Sequence, residues 1–151
     1  MSNYRIASRY AHALYLKAVE GGHDEAVAGD MKTLVSLSHS NREFRAFLNS
    51  PVIPKDVKSN ALTAVCKDFH NNSKEVFQLA LAKNREMMLP EIAAAFLAEY
   101  NLKKGIVEAT VTAAADLDAD AVQTVTAFVK KQTGAQNVEL IVKKDPSIIG
   151  G

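Results

Sequence analysis

Length, composition and charge narrow the classes of protein to which this chain can belong. The chain has 151 residues, 48% of them hydrophobic and 23% charged, and a formal net charge of +1. These values are typical of one or two small globular domains and exclude a disordered chain. The near-neutral charge argues against a nucleic-acid binder that relies on a basic patch. The single cysteine, Cys66, excludes an intrachain disulfide and favours a reducing compartment.

The sequence contains no segment that predicts direct membrane insertion. No apolar run approaches the roughly 20 residues of a membrane span, and the first residues lack the apolar core of a secretory signal. We therefore expect a soluble, intracellular protein whose contact with any membrane runs through partners.

The first two-thirds of the chain predicts short helices. Apolar residues at helical spacing, interrupted by Gly and Pro, give a first helix over about 3–20, a second over 24–38 and a third that ends near Leu48. A fourth helix starts at Pro54, a fifth ends near Lys83, and a sixth runs from Pro90 to about Gly105. The tetrapeptides 40–43 and 72–75 have capping-box spacing and are expected to open the third and fifth helices. The fold class is therefore mainly α, with a six-helix bundle over residues 1–104.

The pattern changes after Gly105. Residues 106–113 predict a strand, 119–132 a helix and 138–143 a second strand. Asp118 is the expected N-cap of this helix and Gly134 its end. The helix has an apolar face that comprises Val122, Val125, Phe128 and Val129. We predict a small, incomplete mixed α/β domain over residues 105–151, built as strand, helix and strand.

The last seven residues, Asp145-Pro146-Ser147-Ile148-Ile149-Gly150-Gly151, follow this strand and contain two turn signals. A strand followed by a turn needs a return strand, and none follows in the sequence. We therefore expect the last domain to be cut short, with an end that frays because a small domain buries little surface.

No set of side chains in the sequence predicts catalysis, a cofactor site or a metal site. The four histidines, His12, His23, His39 and His70, lack the spacing of convergent metal ligands, and are expected to be solvated or capping residues. Cys66 is expected to be a buried structural thiol. The acids at 116, 118 and 120 resemble the start of a calcium loop, but the glycine and glutamate that such a loop needs are absent.

The first and fifth helices carry more apolar surface than a helix at a protein surface needs. On a helical wheel the first is apolar over about half its circumference, whereas a stripe of about 100° suffices. In the fifth, Gln78 is the one polar residue between Val76 and Ala82. Two interpretations stay open. Both helices are central in the bundle, or they share an exposed groove that accepts an amphipathic helix from another protein.

Several short motifs resemble one family when they are taken in order. They are Arg9-Tyr10-Ala11-x-Ala13-Leu14-Tyr15, Asn84-Arg85, Leu89-Pro90-x-Ile92 with Phe96 and Tyr100, Gly105 with Ala109, Val111 and Leu117, Lys131-x-Thr133-Gly134, and the tail Asp145–Gly151. Each is weak alone, but their order and spacing together are specific. The chain resembles the delta subunit of F-type ATP synthase, called the oligomycin-sensitivity-conferring protein in mitochondria.

The resemblance implies a stator connector with no chemistry and no cofactor of its own. In this family the helical bundle clasps the N-terminal helix of an alpha subunit, and the C-terminal domain holds the b subunits of the peripheral stalk, so that proton-driven rotation yields ATP synthesis. The implied location is peripheral, at the cytoplasmic face of the bacterial plasma membrane. Carried over by position, the groove consists of Tyr10, Ala13, Leu14, Lys17, Val76, Leu79, Ala80 and Lys83.

One departure and one alternative accompany this resemblance. In the family the double glycine leads into a further strand and a final helix, so the chain is interpreted as C-terminally truncated and its stalk binding as uncertain. The alternative function is a helical-bundle RNA-binding protein of the transcription antitermination type. That function needs cations gathered on one face, whereas the lysines and arginines here are scattered among acids.

Overall fold

The structure, a computed structural model, describes residues 3–148 and is mainly helical. Its elements are α1 (Asn3–Glu20), α2 (Asp24–Ser40), α3 (Arg42–Asn49), α4 (Lys55–Val65), α5 (Asn71–Ala82), a 3-10 turn (Glu86–Met88), α6 (Leu89–Lys104), β1 (Ile106–Ala113), α7 (Ala119–Thr133) and β2 (Asn137–Lys144). The predicted class, mainly α with a small mixed C-terminal part, is confirmed. The chain divides into two compact units, an N-terminal unit that ends at Tyr100 and a C-terminal unit that begins at Asn101.

The core of the N-terminal unit forms where the apolar faces of its helices meet. In α1 the buried residues recur every three or four positions, as helical geometry requires, and they are Ala7, Ala11, Leu14 and Ala18. Three of these four are alanines, whose small side chains allow neighbouring helices to approach closely. Phe96 of α6 is 0% exposed, and its ring centroid lies 6.1 Å from that of Tyr15. Close packing of α1 against the rest of the unit therefore fixes which side of α1 remains outside.

Two helix starts differ from the capping boxes that the sequence predicted. Such boxes would place N-caps at Ser40 and Asn72. The N-cap of α3 is instead Asn41, whose side chain accepts a hydrogen bond from the backbone N–H three residues later at 3.0 Å. The N-cap of α5 is His70, whose Nδ1 accepts from the N–H of Asn72 at 3.2 Å. Both helices begin within two residues of the predicted box, and the capping side chain is what changes.

A lysine is buried in the N-terminal unit, where lysine is rarely found. Lys58 of α4 is 3% exposed. Its Nζ donates to Glu86 Oε1 at 2.6 Å and to the carbonyl oxygen of Leu48 at 3.1 Å. That carbonyl lies in the last turn of α3, where no intrahelical partner exists and a positive charge is favourable. One side chain thus holds together α3, α4 and the 3-10 turn.

The ion pair changes the acidity of its carboxylate partner. Burial by itself raises the pKa of Glu86. The hydrogen bonds from Lys58 and from its own backbone, with the charges of Lys58 and Lys55, outweigh that effect and hold the pKa below its ordinary value. The second oxygen of Glu86, Oε2, has no hydrogen-bond partner among the described residues. The Lys58–Glu86 ion pair therefore stabilises the charged carboxylate, although one of the two carboxylate oxygens has no hydrogen-bond donor among the described residues.

The C-terminal unit contains the predicted strand, helix and strand. β1 and β2 pair in parallel, with Ile106 opposite Asn137, and α7 connects them as parallel strands require. Asp118 is the N-cap of α7, and its Oδ1 accepts from the N–H of Ala121 at 2.7 Å. Gly134 ends the helix with a φ of 68°, a left-handed conformation that glycine adopts without strain. Local sequence signals therefore place these three elements correctly.

The C-terminal unit is much less buried than the N-terminal one. From Asn101 to Ile148, the part of the unit that the structure describes, each residue is half-buried or exposed. Phe128 was predicted on the apolar face of its helix and is 61% exposed. It lies at the edge of the face formed by Val122, Val125 and Val129, and a sheet of two strands about 5 Å apart is too narrow to cover that edge. Apolar surface thus stays open on this unit.

The tail turns as its sequence predicts, within the part that is described. Asp145 Oδ1 accepts from the N–H of Ser147 at 3.0 Å and from its hydroxyl at 2.6 Å. These two hydrogen bonds lower the pKa of Asp145. The Gly150-Gly151 turn signal and Ile149 lie outside the described residues.

Candidate protein-binding site

The predicted site residues lie on two helices that pack against each other, α1 and α5. Six of them are half-buried or exposed, and we call these six the α1–α5 surface: Tyr10, Ala13, Lys17, Val76, Leu79 and Lys83. In each set the three members are spaced i, i+3 and i+7, which places them on one side of a helix, with Lys83 as the C-cap of α5. The two sequence segments therefore contribute matching faces to one region of the N-terminal unit.

Leu14 and Ala80, the other two predicted residues, occupy a different position. Leu14 is 1% exposed and Ala80 is 0% exposed, so a partner cannot reach either side chain in this structure. Leu14 shares its side of α1 with Ala7 and Ala18, and that side faces the core. These two residues support the α1–α5 surface from beneath and do not line it.

Two polar contacts join the ends of the α1–α5 surface. Lys17 Nζ pairs with Glu75. Arg85, which follows α5, donates from Nη1 to the hydroxyl of Tyr10 at 3.2 Å, and its guanidinium carbon lies 5.8 Å from the centre of the Tyr10 ring. Because Lys17 is late in α1 and Glu75 early in α5, the contacts show that the helices run antiparallel. These two contacts also hold the exposed face of α1 in a fixed position relative to that of α5.

Apolar side chains occupy the middle of this surface and cations its edge. Leu79 is 48% exposed, although it is a large apolar residue. Val76 is half-buried beside it and Ala13 is exposed. The Lys83 side chain makes no hydrogen bond or ion pair to any described residue, whereas the Lys17 side chain is paired with Glu75. The region is therefore an apolar strip with positive charge beside it, which suits a helix that is apolar on one side.

Sequence reasoning missed two residues of this region, Glu75 and Arg85. Arg85 was part of a family motif but received no position in the site. The signal that the sequence offered is Asn84, because asparagine is one of the few residues that tolerate a positive φ. In the structure its φ is 55°. The turn at Asn84 ends α5 and directs Arg85 back toward α1. The contact itself joins residues 75 positions apart, and no local pattern predicts such a pairing.

The structure also locates Cys66 and the other side chains considered for catalysis or metal binding. Cys66 is 1% exposed, as predicted for a buried thiol. Burial, followed by the nearby charge of Asp30, raises the pKa of the Cys66 thiol to about 11, so the reactive thiolate is scarce at neutral pH. Residues 3–148 contain no group of three or more histidine, cysteine or acidic side chains that could hold a metal ion. None of the helices in that range is long and apolar enough to cross a bilayer.

Comparison with known proteins identifies the family. The model for the ATP synthase delta (OSCP) subunit matches residues 6–151, nearly the whole chain. The chain belongs to the ATP synthase delta (OSCP) subunit family. The resemblance that the short motifs indicated is thereby confirmed.

Individual relatives agree with this assignment. ATP synthase subunit delta of Beijerinckia indica is 30% identical over 148 residues, which are 97% of this chain and 78% of that protein. The delta subunit of Microcystis aeruginosa is 35% identical over 147 residues, 97% of this chain and 81% of the relative. The mitochondrial ATP synthase subunit O of Ipomoea batatas is 30% identical and aligns with 100% of this chain and 63% of its own length.

A solved structure shares the fold. A chain of the Toxoplasma gondii mitochondrial ATP synthase hexamer superposes with a TM-score of 0.77, over 93% of this chain and 79% of its own, at 23% identity. Family membership makes this chain a structural subunit of F-type ATP synthase, a stator connector that does not itself catalyse a reaction. The RNA-binding alternative receives no support from any of these relatives.

Proposed function

We propose that the α1–α5 surface binds the N-terminal helix of an ATP synthase alpha subunit, and that the C-terminal unit binds the b subunits of the peripheral stalk. The chain then connects the catalytic head to the stalk at the cytoplasmic face of the bacterial plasma membrane. The observation that carries the first half is the apolar strip on α1 and α5, where Leu79 is 48% exposed. A stationary connector needs strong binding at both ends because rotation exerts torque on the head.

The shape and chemistry of the strip fit a helical partner. Two antiparallel helices leave a shallow groove between them, and an amphipathic helix buries its apolar residues in such a groove at i, i+3, i+4 and i+7 positions. Ala13, on the α1 side of the groove, has a small side chain, so the backbone of the partner helix can approach closely. Leu79 and Val76 supply the opposite apolar wall. The contacts made by Lys17 and Tyr10 hold the walls in place before the partner arrives, which lowers the entropy cost of binding.

The charges beside the strip indicate what the partner carries at its edge. The Lys83 ammonium has no hydrogen-bond or ion-pair partner within residues 3–148, and Arg85 donates to a neutral hydroxyl. Both are free to meet a carboxylate on the incoming helix. We therefore propose that the bound helix is apolar on one side and acidic at the edge that faces Lys83. Exposed charges of this kind speed association more than they raise affinity.

We assign the two binding functions to the two parts of the chain. We propose that residues 1–104 form a six-helix bundle that binds the head and that residues 105–151 form a separate, small mixed α/β domain. α6 continues without a break from Leu89 to Lys104, and Gly105 follows it with a φ of 63°. For the stalk, the C-terminal unit offers large exposed apolar side chains, namely Phe128, Ile141 and Val142.

A peptide-binding experiment tests the head-binding half. A synthetic peptide of an alpha-subunit N-terminus is titrated into the full chain by calorimetry. We expect binding to the wild type and a loss of at least about tenfold in affinity for Leu79→Asp, because tenfold corresponds to about 1.4 kcal/mol and a central apolar contact usually exceeds that. Leu79 is 48% exposed, so the charge does not enter the core.

The matched control is Val57→Asp. Val57 is also 48% exposed but lies in the first turn of α4, where an acidic residue suits the helix dipole. This variant should bind the peptide like the wild type. Equal affinity for the wild type and Leu79→Asp, or no binding by either, would show that the α1–α5 surface is not the alpha-subunit site.

A further inference from the structure

The start of α5 is capped by a histidine, which is an unusual choice. Serine, threonine, aspartate and asparagine are the preferred N-caps, and their capping ability does not change near neutral pH. His70 Nδ1 accepts a hydrogen bond from the N–H of Asn72 at 3.2 Å. A ring nitrogen can accept only while it carries no proton. The capping bond therefore requires that His70 be neutral with its proton on Nε2.

His70 lies among groups that hold it in place. The carboxylate of Asp30, on α2, accepts from the backbone N–H of His70 at 2.7 Å and from the hydroxyl of Ser73 at 2.6 Å. Ser73 is 0% exposed, so Asp30 fixes the first turn of α5 from inside the unit. The ring of His23, between α1 and α2, lies with its centroid 4.4 Å from that of His70. The ring of His70 is thus confined between α5 and a second imidazole.

Protonation of His70 has opposing electrostatic consequences. The other titratable groups nearest in sequence to the two histidines are Asp24 next to His23, Cys66, Lys67 and Asp68 between α4 and α5, and Lys74 on α5. Asp30 attracts a charged ring. The positive end of the α5 dipole and a charged His23 repel it. Whatever the balance of these charges, the capping bond to Asn72 ends, because Nδ1 then bears a proton. Histidine is the side chain that undergoes this change between pH 5 and 8.

We propose that His70 is a pH-dependent N-cap that loosens the first turn of α5 when its ring becomes charged. Loosening the first turn of α5 affects the neighbouring α1–α5 surface. The first turn of α5 leads directly to Glu75, which pairs with Lys17 at one end of the α1–α5 surface. Acidification therefore weakens that end of the surface. The last step, an effect on partner binding, rests on the proposed function, whereas the loosening of α5 does not.

Amide exchange in the full chain tests the cap without any partner. The protection factor of the Asn72 amide is measured by NMR between pH 5.5 and 7.5, after correction for intrinsic exchange. We expect it to fall by about fivefold toward pH 5.5, the ratio that corresponds to a typical N-cap. The Ala121 amide is the internal control, because Asp118 caps it and a carboxylate stays charged over this range. Equal behaviour of the two amides would overturn the proposal.

Two variants separate the cap from the surrounding charges. His70→Asn keeps an N-cap but removes the titration, so protection at Asn72 should become independent of pH. His23→Phe keeps a ring against His70 and removes the second charge, so the pH dependence at Asn72 should persist. If the response survives in His70→Asn, another group causes it and the proposal is wrong.

Peptide titration at the two pH values tests the consequence for binding. We expect the alpha-subunit peptide to bind the wild type more weakly at pH 5.5, by up to about fivefold, and His70→Asn equally at both. A pH-independent affinity of the wild type would overturn the link to binding. Absence of peptide binding at either pH would count against the proposed function alone, since the Asn72 measurement needs no peptide.

Discussion

The two units of this chain use similar local signals but reach very different degrees of burial. The N-terminal unit encloses residues such as Phe96 and Met31, both 0% exposed. In the C-terminal unit the described residues, from Asn101 to Ile148, are all half-buried or exposed. Both units contain a helix with a side-chain N-cap, since Asn41 caps α3 at 3.0 Å and Asp118 caps α7 at 2.7 Å. Good local structure is therefore not what distinguishes them.

The difference shows where stability comes from. Helices are stabilised chiefly by tertiary burial of an apolar face and only slightly by propensity. Several helices can surround one another and bury those faces, whereas one helix on two strands cannot. The N-terminal unit therefore has a buried core that stabilises its fold. The C-terminal unit leaves apolar surface exposed, where it can make other contacts.

A pair of phenylalanine truncations gives the largest expected contrast. Phe96→Ala should lower the free energy of unfolding by about 3–5 kcal/mol, because it removes a ring from a closed core and leaves a cavity. Phe128→Ala should change it by less than about 0.5 kcal/mol, because Phe128 is 61% exposed. Urea denaturation followed by circular dichroism measures both. Similar losses for the two variants would mean that Phe128 is covered in solution.

The buried lysine tests whether polar contacts also hold the N-terminal unit together. Lys58→Met should cost about 3–5 kcal/mol, because it leaves the largely buried Glu86 carboxylate without its ion-pair partner. The double variant Lys58→Met, Glu86→Leu should recover much of that loss, since no unpaired charge remains. Urea denaturation of the three proteins measures this. A double variant no more stable than Lys58→Met would show that the hydrogen bond from Lys58 to Leu48 matters more than the ion pair.

A smaller effect is expected in the C-terminal unit. Asp118→Ala removes the N-cap of α7 and should cost about 1 kcal/mol of local stability. Hydrogen exchange should report lower protection in α7 and β2 and unchanged protection in α2 and α5. Asp120→Ala is the control, because Asp120 lies in the same first turn but its side chain makes no capping bond. Loss of protection in α2 would show that the two units unfold together.

Acid dependence gives the subtlest test of the buried ion pair. The pKa of Glu86 lies below its ordinary value in the folded protein, so the contribution of its charge is present above the unfolded pKa. It is lost as pH falls through the lower, folded pKa. The stability difference between the wild type and Glu86→Gln should therefore shrink on acidification below about pH 4.5. Glu25→Gln is the control, because Glu25 is exposed and its side chain makes no hydrogen bond or ion pair to a described residue. Its urea midpoint relative to the wild type should change less with pH.

Local signals in the sequence were sufficient for most helix and strand ends. β1 runs from Ile106 to Ala113, as its strand pattern predicts, and α7 begins after Asp118 and ends at Gly134. These features depend on contacts within a few residues, such as a side chain that caps the next turn. The family could be inferred for a related reason, because motif order along the chain is a property of the sequence itself.

Tertiary structure decided which residues are buried and which are paired. Leu14 and Ala80 were assigned to a binding groove but lie in the core, because neighbouring helices determine which side of an apolar helix stays open. Lys58 is buried because its hydrogen-bond partners, Leu48 and Glu86, lie on other elements. Asp30 of α2 holds the backbone N–H of His70 at the start of α5. Phe128 is exposed because two strands cannot cover all of α7. Sequence thus determined the elements and the family, whereas burial, pairing and the shape of the α1–α5 surface depended on contacts between distant residues.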